Sequence, residues 1–120
     1  MSTRCAIGYT DKETGKLHTI YCHYDGYPSH VGKILKEYHN SAEACRALLV
    51  GSHIRNFDND GTVCRFGEGD GAAETFDSVA ETLNSGYDYV YTFAEFDQSW
   101  HCYGRNYDTS PSAIVEKEIK

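Results

Sequence analysis

The sequence predicts an α+β fold: one domain in which hairpins build an antiparallel sheet and about three helices pack mainly on one face. Three observations predict it. At 120 residues the chain is one domain long. Alternating runs rich in aromatic and β-branched residues occur towards both ends. Between them, three stretches repeat apolar residues at helical spacing, each preceded by Ser or Thr.

Taken in order, residues Arg4 to Tyr9 and Leu17 to Tyr24 read as strands, joined by a hairpin over Asp11 to Lys16 with Gly15 in the turn. Ser29 is placed to cap a helix whose Val31, Ile34, Leu35 and Tyr38 share a face. Ser41 is placed to cap a second, with Ala44, Cys45, Leu48 and Leu49 inward and Gly51 at its end. Asn59-Asp60-Gly61 is a hairpin turn between the strand-like segments Ile54–Phe57 and Thr62–Phe66. Gly67 to Gly71 forms an acidic, glycine-rich loop. A third helix is expected from Thr75, with Phe76, Val79, Ala80 and Leu83 on one face and Gly86 as its stop.

Residues Tyr87 to Phe96 alternate as a strand, turn at Asp97-Gln98-Ser99 and return from Trp100 to Gly104. Tyr87, Tyr89, Tyr91 and Phe93 fall on one face of that strand, and Val90, Thr92, Ala94 and Phe96 on the other. The second set is smaller and suits packing under helices, so the tyrosine face is expected outward. The domain is taken as residues 1–110, with 111–120 a tail or a short peripheral helix.

Composition excludes several classes. Hydrophobic residues make up 40% of the chain, which rules out a disordered segment. The formal net charge of −7 opposes binding to bulk nucleic acid, which depends on Lys and Arg neutralising phosphates. Those charges are also too scattered for a mimic of duplex DNA. No apolar run approaches the roughly 20 residues of a membrane span. Five cysteines without a C-x-x-C pair, and no signal-like N-terminus, imply reduced thiols in a cytoplasmic protein.

Metal and catalytic motifs are weak. Cys22-His23 and His101-Cys102 invite a zinc reading, but neighbours in a strand point to opposite faces, so each pair offers one ligand at most. Asp58-Asn59-Asp60-Gly61 lacks the remaining ligands of a calcium loop. A Cys-His dyad needs a base and an orienting group within reach, and no spacing in the sequence marks such a set. The expectation is therefore no catalytic residue, no metal and no cofactor.

A site for a nucleotide-like ligand is better supported. It needs flat rings for stacking and cations for phosphate. Arg4, Arg55, Arg65 and Arg105 lie in or beside aromatic segments, with Trp100, Tyr103 and Tyr107 near the last of them. Lys33 and the start of the Ser29 helix offer a further anion contact. Ten tyrosines exceed the needs of a small core, since every buried hydroxyl wants a partner.

The densest segment is Tyr21-Cys22-His23-Tyr24-Asp25-Gly26-Tyr27-Pro28-Ser29-His30-Val31-Gly32-Lys33. It reads as a strand-to-helix corner in which Gly26 supplies a permissive φ and Asp25 bonds turn amides. Together with the opening Met-Ser-Thr-Arg-Cys-Ala-Ile-Gly, it resembles a family of small proteins found widely in tailed bacteriophages. Members carry a Thr-Arg-x-x-Ile-Gly-like strand, then Tyr-x-His-aromatic-Asp-Gly-Tyr-Pro and a glycine four residues on. The likeness spans about the first fifty residues.

By analogy with other small phage proteins, the resemblance implies a counter-defence sponge. Such a protein sequesters a cyclic-nucleotide or ADP-ribose-derived signal of immune systems such as Thoeris and CBASS, without catalysis and as a homo-oligomer. On that reading Arg4, Arg65 and Arg105 meet phosphates, and Trp100, Tyr27 and Tyr91 stack on bases. His23, Asp25 and Lys33 add polar contacts. The alternatives are a protein-protein inhibitor of a host enzyme, acting through its acidic surface and tyrosine strand, and, third, a signal hydrolase.

Overall fold

The computed structural model describes residues 3–108 and 113–119. The chain is an α+β domain in which an eight-stranded, mostly antiparallel sheet carries three α-helices. The strands are β1 (Cys5–Thr10), β2 (Leu17–Cys22), β3 (Ile54–Phe57), β4 (Val63–Arg65), β5 (Glu74–Phe76), β6 (Tyr89–Ala94), β7 (Ser99–Asn106) and β8 (Ala113–Lys117). The helices are α1 (Lys33–Tyr38), α2 (Ala42–Leu48) and α3 (Val79–Asn84), with a π-helical turn over Pro28–Gly32 running into α1. Strand order is β4-β3-β2-β1-β6-β7-β8, and β5 pairs with the other end of β2's outer edge.

Three hairpin pairings were legible as local patterns, each closed through a turn: β1 with β2, β3 with β4, and β6 with β7. The sheet is nevertheless not built of hairpins alone. β1 runs parallel to β6, in register from Cys5↔Tyr89 to Gly8↔Thr92, and β2 touches β3 in parallel at Cys22↔Ile54. The β1–β6 ladder joins segments more than eighty residues apart, and no local pattern encodes it.

That ladder decides which face of β6 is inside. Cys5, Ile7, Tyr91, Phe93, Trp100 and Cys102 form the main core with Val31, Leu35 and Leu48 from the helical segments. The tyrosine face of β6 therefore points inward, contrary to the expectation from side-chain size. Polar hydroxyls did not prevent this, because Tyr91 is fully buried with its hydroxyl donating to the Gly26 carbonyl at 2.7 Å. On the opposite face α3 covers a smaller cluster of Ala6, Leu17, Leu83 and Val90.

Three other local readings are corrected. Residues 74–76 form β5, not a helical start, and α3 begins three residues later, where the Ser78 hydroxyl accepts from the Glu81 amide at 3.1 Å. Ser29 caps nothing: Tyr27 occupies the cap position and Pro28 opens the turn, as its missing N–H allows. Residues 113–117, expected in a tail or peripheral helix, are edge strand β8 on β7, and Ile119 packs on the core. The first two residues of that expected tail, 111 and 112, and the last, 120, lie outside the described residues. Ser41 does cap α2, accepting from the Ala44 amide at 3.0 Å.

The Asp25-Gly26 corner is real but differently built. Asp25 takes the left-handed conformation at φ 57°, which a short polar side chain tolerates. Gly26 is required for another reason: a Cβ there would lie 2.8 Å from the Thr3 carbonyl and 2.9 Å from Cys5 Cβ.

Candidate functional site

β1 and β6 are parallel neighbours, but each leads into a hairpin on the opposite flank, β1 to β2 and β6 to β7. The two chains therefore part at their carboxyl ends. In sheets that contain such a switch point, the crevice outside the carboxyl ends is the usual place for a ligand. A cleft of about 330 Å³ opens there. The first hairpin contributes Tyr9 and Lys12, the second Glu95 and Phe96, α2 contributes Cys45 and Arg46, and Tyr103 of β7 adds a ring.

Charge crosses the mouth of this cleft. Lys12 Nζ lies 2.6 Å from Glu95 Oε2, and Arg46 Nη2 lies 3.2 Å from Glu95 Oε1. The Lys12 hydrogen bond, followed by its charge and that of Arg46, holds the Glu95 carboxyl below its ordinary range against a smaller effect of burial. The Arg46 guanidinium also sits 5.7 Å from the centre of the Tyr9 ring, within cation–π range. Two cations and one carboxylate leave the mouth net positive on an acidic protein.

At the floor, Cys45 donates a thiol hydrogen bond to the Gly8 carbonyl at 3.4 Å. Burial pushes this thiol up to about 12, against the opposing influence of Arg46 and the Phe93 amide. It is neutral near pH 7 and a poor nucleophile, because the thiolate is the reactive form. Among the described residues, no group of three or more His, Cys, Asp or Glu is placed to hold a metal ion.

None of the nine residues given a ligand contact from sequence lines the cleft, although Tyr103, noted there beside Arg105, does. Tyr91 and Trp100 are core residues without an exposed ring face, and the Trp100 indole donates to the His39 carbonyl at 3.0 Å. Burying such rings is worth more to a small core than leaving them for a ligand. Arg65 donates to the carbonyls of Leu48 at 2.7 Å and Ser52 at 2.6 Å, closing the end of α2. Arg105 on β7 bonds Asn84 at the end of α3. Tyr27, Asp25 and Lys33 are exposed along the corner and the start of α1.

Arg4 and His23 do come together, through Tyr21. The Tyr21 hydroxyl bonds His23 Nδ1, and Arg4 also interacts with it. His23 in turn meets the Tyr24 ring edge-on at 4.4 Å. This ring cluster lies towards the amino end of β1, at the opposite end of that strand from the cleft.

The cleft residues were hard to find because they lie in three separate segments. Lys12 and Glu95 read as ordinary turn charges, and Arg46 as a solvated helix position. One signal was available: Ala42, Cys45 and Arg46 repeat at helical spacing, so a charge adjoins the inward stripe of α2.

The fold and the cleft thus define an α+β domain with a ligand-sized crevice at a strand switch point. Compared with known proteins, the chain matches no family model, no curated protein and no solved structure. Among the described residues, no helix is long and apolar enough to cross a membrane.

Proposed function

We propose that this chain is a phage counter-defence protein that binds and sequesters a nucleotide-derived immune signal, without catalysis, in the cleft between β1 and β6. One observation carries the reading: two cations, Lys12 and Arg46, stand beside the rings of Tyr9, Phe96 and Tyr103 at a single crevice. Those are the groups a phosphate and a base require. The phage-like opening strand and corner motif support the biological setting.

Sequestration fits the chemistry better than turnover does, since the thiol in the crevice is held neutral. The alternative, an inhibitor of a host enzyme, has less support because the tyrosine strand meant to carry it faces the core. The expected homo-oligomer belongs to the proposal, and native mass measurement tests it.

Calorimetry against cyclic nucleotides and cyclic ADP-ribose isomers, with mass spectrometry of small molecules released by denaturation, tests the function. Binding with intact ligand recovered, and lost in Lys12→Ala/Arg46→Ala, is the expected result. No heat and no thermal shift across the panel overturns it.

A further inference from the structure

We infer that Glu95 is a built-in occupant of the cleft's anion site, and that the ligand is a mononucleotide unit whose phosphate takes its place between Lys12 and Arg46. This rests on the reading of the cleft as the binding site and narrows what the cleft holds.

The geometry of the carboxylate carries the first half. Its two oxygens divide between two cations, one from the β1–β2 hairpin and one from α2. Two oxygens of a phosphate can make the same pair of contacts, since both groups are planar or tetrahedral arrays of charged acceptors at similar spacing. Glu95 begins the β6–β7 turn, and the backbone there is held independently of its side chain. Gln98 Nε2 donates to the Glu95 carbonyl at 2.8 Å, with Gln98 itself at φ 52°. The Glu95 side chain can therefore swing out while the turn stays in place.

Size and shape carry the second half. At about 330 Å³, the cleft sits at the low end of the roughly 300–1,000 Å³ that small-ligand sites span. That volume is on the scale of one nucleotide unit rather than of two linked ones. The base has a platform in Phe96, which lines the cleft yet is 87% exposed. One face of Phe96 lies towards His101 at 5.9 Å and 26°, which leaves its other face open. A base placed there extends the stack.

The test is calorimetry of the full chain and its Glu95→Gln and Phe96→Ala variants with cyclic AMP, AMP, adenosine and a cyclic dinucleotide. Circular dichroism establishes that both variants, altered at surface positions, remain folded. Removing the competing charge is expected to tighten AMP and cyclic AMP by about two- to fivefold, the range of a partly exposed ion pair, and to leave adenosine unchanged. Phe96→Ala is expected to weaken all base-bearing probes by about tenfold.

If Glu95→Gln leaves the charged probes unchanged, or shifts adenosine equally, the displacement is refuted. If the cyclic dinucleotide binds more tightly than AMP, the mononucleotide class is refuted while sequestration survives. Absence of binding by every probe refutes this inference, while the proposed function is overturned only if the cyclic ADP-ribose isomers of the wider panel also fail to bind.

Discussion

Replacing Tyr91 with Phe separates a core tyrosine from a ligand-stacking one. Phenylalanine keeps the ring, so a stacking role predicts almost no change in stability or in binding. The structure predicts otherwise. The Tyr91 hydroxyl donates to the buried Gly26 carbonyl at 2.7 Å and lies against the Cys102 thiol. Its loss removes one hydrogen bond, worth about 0.5–1.5 kcal/mol net, and leaves a buried carbonyl without that donor, which costs about 1–3 kcal/mol when no water can replace it. Partial relaxation around Gly26 brings the expected total to about 1–2 kcal/mol.

For a domain of this size, that lowers the melting temperature by about 3–8 °C. Urea unfolding followed by far-UV circular dichroism is the assay, with the slope expected unchanged and the midpoint lowered. A midpoint within error of the unmodified protein would refute the claim that this bond fixes the corner. A variant unchanged in both stability and binding would return Tyr91 to the ligand-stacking role.

Three further outcomes follow from the same coordinates. Arg65→Ala should destabilise the protein by about 1–2 kcal/mol, because the carbonyls of Leu48 and Ser52 lose a charged donor. It should leave nucleotide affinity untouched, and calorimetry beside urea unfolding checks both halves. At His101, burial disfavours the charged ring, but hydrogen bonds to Asp97 at 2.8 Å and Glu116 at 3.3 Å outweigh it and raise the imidazole above its ordinary value. The folded state therefore binds this proton more tightly than the unfolded chain does. The resulting stability is full below about pH 6.5 and disappears as pH rises through the folded value. Urea midpoints should fall between about pH 6 and 8, and His101→Gln should flatten that fall. Finally, Cys5, Cys22, Cys45 and Cys102 are buried, while Cys64 is half-buried. Burial pushes Cys45 and Cys102 up to about 12, so Ellman's reagent at neutral pH should titrate one thiol natively and five after denaturation. Rapid reaction of more than one native thiol would contradict the packing.

Sequence by itself determined the fold class, the hairpins and one helix cap, because each depends on residues within a few positions of one another. Alternation from Tyr87 to Phe96 marks a strand, Asn59-Asp60-Gly61 marks a turn, and Ser41 marks the start of α2. Alternation states that two faces exist and not which one is buried. That choice waited for the parallel partnership of β1 with β6, which sets Tyr91 beside Ile7 and under the helices.

The candidate site depended on tertiary structure more completely. Lys12, Arg46 and Glu95 converge only because two distant strands run side by side and then turn apart, with α2 laid across the opening. No local spacing encodes that convergence, since each charge alone looks like an ordinary surface residue. The arginines that stood out beside aromatic segments went largely to structural work, Arg65 on the end of α2 and Arg105 on Asn84. Side-chain chemistry told which groups a ligand would need; the chain's path through space decided which of them meet.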